Sequence, residues 1–297
     1  MRCGVCGQET DVFTVVDGYD FGDCAHCGSI AVDASVIAVI DQGRFPRNYD
    51  ASYWDMELSA ARERAAGAGL ARVAETLLYA TLPVETFIDI GCGPGYLLDA
   101  LAKHLPSKTC FHGIEKFPPP RHSAHPNYHV GDLRDFPLMC DAGICIEVIE
   151  HLTPSMAAGL ADALGARSRE GAFYLFNTGL PDFVKQEDPG YLDPLGRGHI
   201  VSWGHKALQS IFEPRGFTVL PLRSWAFGVE YKGQPSQPPS DRIWNSPNAD
   251  LLRDPEMGEV MYLLGRESAR TYQNHTPAPQ PTPKSLKAGL LRRLGLR

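Results

Sequence analysis

The stretch Asp89-Ile90-Gly91-Cys92-Gly93-Pro94-Gly95 constrains this chain more than any other feature. It follows TFIDI (86–90), a short apolar run, and opens YLLDALAKHL (96–105), a helical segment stopped by Pro106. Strand, glycine turn and helix in that order form the first half of a βαβ unit. Glycines let the backbone turn sharply and approach a ligand closely. The helix start then offers free N–H groups and the positive end of its dipole to an anion. A dinucleotide turn reads G-x-G-x-x-G. Here the third glycine comes one residue early and Tyr96 stands in the last place. That spacing favours a smaller anion, such as a carboxylate, and disfavours a nicotinamide-dependent dehydrogenase.

Downstream, strand-like and helix-like segments alternate. TCFHGIE (109–115), NYHVGD (127–132), AGICIEV (142–148) and GAFYLFNT (171–178) read as strands. SMAAGLADALGA (155–166) and ALQSIF (207–212) read as helices. GFTVLPL (216–222) and GEVMYLLG (258–265) read as late strands, with KGQPSQPPS (232–240) as an exposed loop between them. The alternation predicts an α/β fold, a mostly parallel sheet with helices on both faces. Upstream, ELSAARERAAGAGLARVAETLLYA (57–80) has apolar residues at helical spacing. At 297 residues the chain suits one large domain with small appendages. The expected parts are a cysteine-rich module (1–30), a helical connector (31–83), the α/β domain (84–266) and a tail (267–297).

From this turn onward the chain resembles the class I S-adenosylmethionine-dependent methyltransferases, over roughly residues 84–266. The string FIDIGCGPGYLLDAL is the most specific match. The resemblance implies a Rossmann-like seven-stranded sheet and S-adenosyl-L-methionine as cofactor. It implies that Asp89 meets the methionine end, with Gly91, Cys92, Gly93 and Gly95 forming the turn. Glu115, ending the second strand, would bind both ribose hydroxyls, since a carboxylate makes charge-assisted bonds to a vicinal diol. Asp132, with Leu133 beside it, would face the adenine.

The fourth strand ends in ICIEVIEHLTP, where Glu147, Glu150 and His151 are spaced i, i+3, i+4. A helical turn gathers such residues on one face, beside the transferable methyl group in this family. The string is similar to that of small-RNA 3′-terminal 2′-O-methyltransferases and ubiquinone-pathway O-methyltransferases. In the first group a further histidine completes a metal site, and His199 lies 48 residues after His151 here. Glu147, Glu150, His151 and His199 are therefore candidate catalytic residues and candidate ligands for a divalent cation such as Mg²⁺, Mn²⁺ or Zn²⁺. A metal would lower the pKa of an acceptor hydroxyl. Without metal, His151 or His199 would serve as general base. A pocket-shaping, purely structural role is the third reading.

Cys3-x2-Cys6 and Cys24-x2-Cys27, separated by 17 residues, have the spacing of a four-thiolate zinc site. A closed four-ligand site is structural. Cys92, Cys110, Cys140 and Cys145 read as buried thiols. Zinc knuckles joined to this methyltransferase type resemble bacterial sugar-modifying enzymes, although those are longer.

Tyr49, Tyr53, Trp54, Tyr191, Arg197 and Trp203 are candidate acceptor-pocket walls. A net charge of −7 disfavours nucleic acid as a partner. No apolar run approaches the roughly 20 residues that cross a bilayer, and MRCGVCGQET lacks an apolar leader core. Cytoplasmic location is the expectation. The proline-rich TPAPQPTPK (276–284) precedes a short basic amphipathic end, for which weak membrane-surface contact is an open reading. The expected function is methylation of a hydroxyl on a glycan or small metabolite. The alternatives are an RNA 3′-terminal 2′-O-methyltransferase and a non-catalytic cofactor-binding module with the knuckle as a docking surface.

Overall fold

The structure, a computed structural model, describes residues 1–45, 50–104, 110–233 and 238–249. The expected strand at 258–265, the tail and Tyr49 lie outside the described residues.

The N-terminal segment forms β1 (Val12–Val16), β2 (Tyr19–Asp23) and β3 (Ile30–Val32), followed by α1 (Ala34–Asp41). Next come α2 (Ala51–Arg64), a π-helical turn at Ala65–Gly69 and α3 (Leu70–Tyr79). The glycine turn sits between β4 (Phe87–Ile90) and α4 (Tyr96–His104). Then follow β5 (Phe111–Glu115), β6 (Tyr128–Val130), β7 (Cys140–Ile146), α5 (Pro154–Ala166), β8 (Ser168–Asn177) and α6 (Pro181–Gln186). The described chain ends with β9 (Val201–Ser202), α7 (His205–Phe212), β10 (Phe217–Arg223), β11 (Ala226–Tyr231) and α8 (Pro239–Arg242).

Seven strands make the main sheet, in the order β10-β11-β8-β7-β4-β5-β6. From β8 to β6 all pairings are parallel, and β11 runs antiparallel between β8 and β10. This is the Rossmann-like α/β sheet expected of the sequence. Its seventh described strand is β11 at AFGVEY, a segment not read as a strand. β11 is buried on both faces, so it shows no polar alternation. Gly228 also interrupts it, because a Cβ there would come within 2.8 Å of the Phe173 ring.

The strands bury both faces, with period two. Phe87, Ala142, Ile144, Phe173 and Leu175 pack with Leu70, Val73 and Leu77 of α3 and Leu97, Leu98 and Leu101 of α4. Ile88, Cys145, Tyr174 and Phe176 point the other way, toward Ala157, Ala161 and Leu164 of α5 and Leu208 and Phe212 of α7. α5 starts cleanly because the Thr153 hydroxyl accepts from the Met156 amide at 3.3 Å, with Pro154 in the first turn.

The N-terminal module is not a separate bead. Its sheet, β1-β2-β3-β9, takes the fourth strand from residues 201–202. Cys3, Phe21, Ile30 and Val32 share one buried cluster with Ile200, Val201 and Trp203. The module thus straddles the boundary expected at residue 30.

Candidate active site

Strand order reverses between β4 and β7: the chain runs outward through β5 and β6, then returns to the other side of β4. A ligand crevice forms beyond the carboxyl ends of the strands at such a point. A cavity of about 770 Å³ opens there, lined by residues 89–94, Glu115, Asp132, Leu133, Glu147 and His151.

All three glycines of the turn adopt positive φ: Gly91 70°, Gly93 53° and Gly95 80°. Gly91 is also pressed against the segment just after β7, since a Cβ would lie 2.5 Å from Val148 Cγ2. The amides of Gly91 and Cys92 donate to the Ile114 carbonyl, which locks the turn onto β5. Burial holds the Cys92 thiol well above its usual pKa, and a Cβ on Gly113 would meet its sulfur at 2.8 Å. Cys92 therefore contributes backbone to the turn and packing beneath it.

Glu115 closes the turn. Its Oε2 accepts from the Gly93 amide and its Oε1 from the Phe117 amide, each at 2.8 Å. Each oxygen keeps a lone pair for a diol. Asp89 is 7% exposed. Burial, and then the Glu115 charge, push its carboxyl up to about 7. Asp132 caps the short 3₁₀ turn at Leu133–Asp135 through the Arg134 amide and pairs with Lys116 at 2.9 Å. Partial burial raises its pKa, but the Lys116 and Arg134 contacts outweigh this and leave it lowered. Both Asp132 oxygens thus hold the loop in shape. Leu133 is 5% exposed.

β7 ends at Ile146, and Glu147 takes φ 53°, a strained conformation for a residue with a side chain. This kink breaks the helical turn expected of Glu147, Glu150 and His151. Glu147 stands at the cavity wall, held by Asn177 Nδ2 at 3.1 Å and the Tyr191 hydroxyl at 3.3 Å. A 3₁₀ turn, Ile149–His151, then carries Glu150 inward to zero exposure. Among the described residues neither Glu150 oxygen meets a hydrogen-bond partner at bonding geometry. Burial and the neighbouring Glu147 raise its pKa well above the carboxylate range. His151 Nε2 lies 3.9 Å and His199 Nε2 3.8 Å from Glu150 Oε1. Each ring uses Nδ1 on a backbone carbonyl: His151 on Gly198 at 3.1 Å, His199 on Tyr191 at 2.8 Å. The Tyr191 bond puts the His199 proton on Nδ1 and leaves its Nε2 facing the cluster, while His151 also meets the Glu147 backbone. Burial holds His151 down to about 4 and His199 well below the usual histidine range.

One carboxylate and two imidazoles thus form a compact group whose candidate ligand atoms lie within 4.8 Å of one another. Glu147 stays outside it, and His205 is exposed at the start of α7. Among the proposed acceptor walls, Tyr53 and Trp54 line the cavity. Trp203 does not: it is fully buried in the core. Tyr191 lies beneath Glu147, and Arg197 is exposed. The reading from sequence missed Glu57, Ala61 and Arg64 of α2, and also Phe45. Their signal was helical spacing from Trp54 by three, seven and ten residues, one face of a helix. Arg64 pairs with Glu57 at 2.6 Å across that face.

At the other end, Cys3 and Cys27 sulfurs lie 3.7 Å apart, and Cys6 and Cys24 3.6 Å. All four lie within 4.8 Å of one another. A disulfide needs about 2.05 Å. A tetrahedral zinc with bonds of about 2.3 Å spaces its sulfurs at about 3.8 Å. The four thiols therefore fit a zinc ion.

A family model described as a methyltransferase domain matches residues 58–222, more than half of the chain. The chain belongs to the S-adenosylmethionine-dependent methyltransferases. No curated protein sequence matches it. Similar solved structures include DesVI of Streptomyces venezuelae, 15% identical, TM-score 0.44, covering 61% of this chain and 97% of that one. CalS10 of Micromonospora echinaspora, described as an amino pentose methyltransferase, is 15% identical with TM-score 0.41, covering 59% and 95%. An S-adenosylmethionine-dependent methyltransferase of Clostridium acetobutylicum is 10% identical with TM-score 0.41, covering 67% and 98%. No helix among the described residues of this methyltransferase is long and apolar enough to cross a membrane.

Proposed function

We propose that this methyltransferase acts on a hydroxyl oxygen of a small hydroxylated metabolite or glycan. The carrying observation is the neutral His151 at the cavity wall with the Glu150 carboxyl 3.9 Å behind its Nε2. S-adenosylmethionine would supply an electrophilic methyl group, held by Asp89, the Gly91–Gly95 turn, Glu115 and Leu133. The acceptor O–H would give its proton to the buried Glu150–His151 pair as oxygen bonds to the methyl carbon and the carbon–sulfur bond breaks, leaving S-adenosylhomocysteine. The proton would be shared within the buried Glu150–His151–His199 group. His151 serves this role only while neutral, and its low pKa keeps it so. Two aromatic side chains, Tyr53 and Trp54, give a sugar-like acceptor apolar faces to rest on.

A divalent cation is a second reading, supported by the donor set. Glu150, His151 and His199 would hold it, with the Nδ1 bonds to Gly198 and Tyr191 fixing both rings as in many histidine metal sites. Two nitrogens and one oxygen suit Zn²⁺ or Mn²⁺ better than Mg²⁺. Such an ion would polarise the acceptor oxygen in place of the base.

The deciding experiment is transfer of labelled methyl groups to a panel of sugars, phenols and short RNAs. It is run on chelated enzyme and again with Zn²⁺ or Mn²⁺ restored. Transfer to hydroxylated small molecules supports the reading, and transfer only to RNA ends overturns it. Metal-free turnover that disappears in His151→Ala favours the base; turnover only with restored metal favours the cation.

A further inference from the structure

Between the cysteine cluster and Glu150 runs an unbroken path of short polar contacts. In the second knuckle, the Cys24 amide donates to the Ser29 carbonyl at 2.9 Å and the Gly28 amide to the Cys24 carbonyl at 2.7 Å. The Ser29 hydroxyl, fully buried, accepts from the Gly204 amide at 2.9 Å. Gly204 lies so close that a Cβ there would fall 2.3 Å from the Gly28 carbonyl carbon. β3 then pairs with β9, Ile30 opposite Ser202 and Ala31 opposite Val201. The Val32 amide donates to the Ile200 carbonyl at 3.1 Å, and the Ile200 amide donates to the Glu150 carbonyl at 3.0 Å. Trp203, also fully buried, donates its indole N–H to the Ile149 carbonyl at 2.7 Å. His199 immediately precedes this strand.

The 3₁₀ turn bearing Glu150 and His151, and the loop bearing His199, are therefore both anchored on the N-terminal sheet. Nothing in the parallel sheet itself supplies these bonds. β9 is only two residues long, and its ladder partner is β3. A strand this short is held by its neighbours rather than by its own length.

We propose that the zinc-bound Cys3–Cys6–Cys24–Cys27 module is a positioning device that fixes Glu150, His151 and His199 through Ser29, β9 and Trp203. Ser29, Trp203 and Gly204 are positioning residues; none lines the main cavity. Metal loss from the module displaces the two histidines and leaves the glycine turn in place, since the turn is locked to β5 by its own hydrogen bonds. The inference rests on the proposed role of the histidine cluster for its functional meaning, but its test does not.

The experiment uses the full chain with histidine rings labelled for NMR, with S-adenosylhomocysteine as the cofactor-site probe. Ser29→Ala and Trp203→Phe are compared with the parent protein, each checked for one zinc per chain. Both variants are expected to keep zinc and to bind S-adenosylhomocysteine within about twofold of the parent. Both should shift or broaden the ring signals of His151 and His199, with His112 and His122 unmoved. Zinc withdrawal should produce the same histidine changes in larger form. Unmoved His151 and His199 signals in both zinc-bearing variants would overturn the proposal, as would a parent protein without zinc. Equal losses of S-adenosylhomocysteine affinity and histidine signals would also overturn it, as a sign of general loosening. Shifted histidines in a protein that methylates no hydroxylated acceptor would leave the positioning inference standing and remove the functional reading.

Discussion

Glu115 is the side chain on which the cofactor half of the site turns. Its carboxylate ties the Gly93 and Phe117 amides together and still faces the cavity. Glu115→Ala should weaken S-adenosylhomocysteine binding by about 1.5–3 kcal/mol, the range for a lost hydrogen bond to a charged group; calorimetric titration measures it. Asp89 makes a pH-dependent prediction. Its carboxyl, raised to about 7 by burial and the Glu115 charge, must ionise to meet the ligand's ammonium group. Affinity for S-adenosylhomocysteine should therefore rise between about pH 5.5 and 7.5, and Asp89→Asn should flatten the curve. The roles of these two acids were expected only through the family resemblance of the glycine-turn motif, and the structure places both at the cavity wall. Glu150 and His199 were legible only as candidates. Their convergence depends on the left-handed Glu147 and on a loop 48 residues away, which spacing does not encode.

Helix α2 covers the cavity from above the glycine turn. Trp54 reaches to 3.7 Å from where a Gly93 Cβ would stand, and Tyr53 meets its ring edge-on at 5.0 Å. Trp54→Ala should loosen cofactor binding by about 1 kcal/mol, the scale of one aromatic contact, with the change falling mainly on the dissociation rate; stopped-flow release of a fluorescent cofactor analogue measures it. A rate unchanged from the parent would show that α2 does not close on the ligand. Only the part of the helix from residue 57 was legible from apolar spacing; NYDASYWD (48–55) reads as loop-like, yet α2 begins at Ala51, and the face it turns to the cavity was not legible. That face mixes Trp54, Glu57, Ala61 and Arg64, so no hydropathy pattern marks it. Trp203 illustrates the converse. An aromatic residue in a loop-like sequence looked like a pocket wall, yet it packs the core where the N-terminal sheet meets the domain. β11 escaped notice because a strand buried on both faces carries no alternation.

The whole molecule carries opposing proton linkages. Burial, reinforced for His112 by His129 and His125, holds His112 and His151 each to about 4. The unfolded chain binds protons there first, so stability falls as pH drops from about 6.5 toward 4. Asp89 has the opposite sign: its folded pKa is raised, and its contribution is lost as pH rises toward about 7. On acidification below about pH 6.5 the melting temperature of the unliganded parent should fall further than that of His112→Gln, in which one depressed histidine is gone. S-adenosylhomocysteine should raise it by mass action, and more so near pH 7.5 than near pH 6; differential scanning fluorimetry across pH checks both. Synthesis order adds a constraint of another kind. The N-terminal sheet closes only when residues 201 and 202 reach β3. A ribosome making this protein emits the cysteine knuckles before β9, so their sheet must wait for most of the larger domain to emerge. Contacts so distant in sequence form slowly. The knuckle sheet is thus completed only after both ends of that long interval have met.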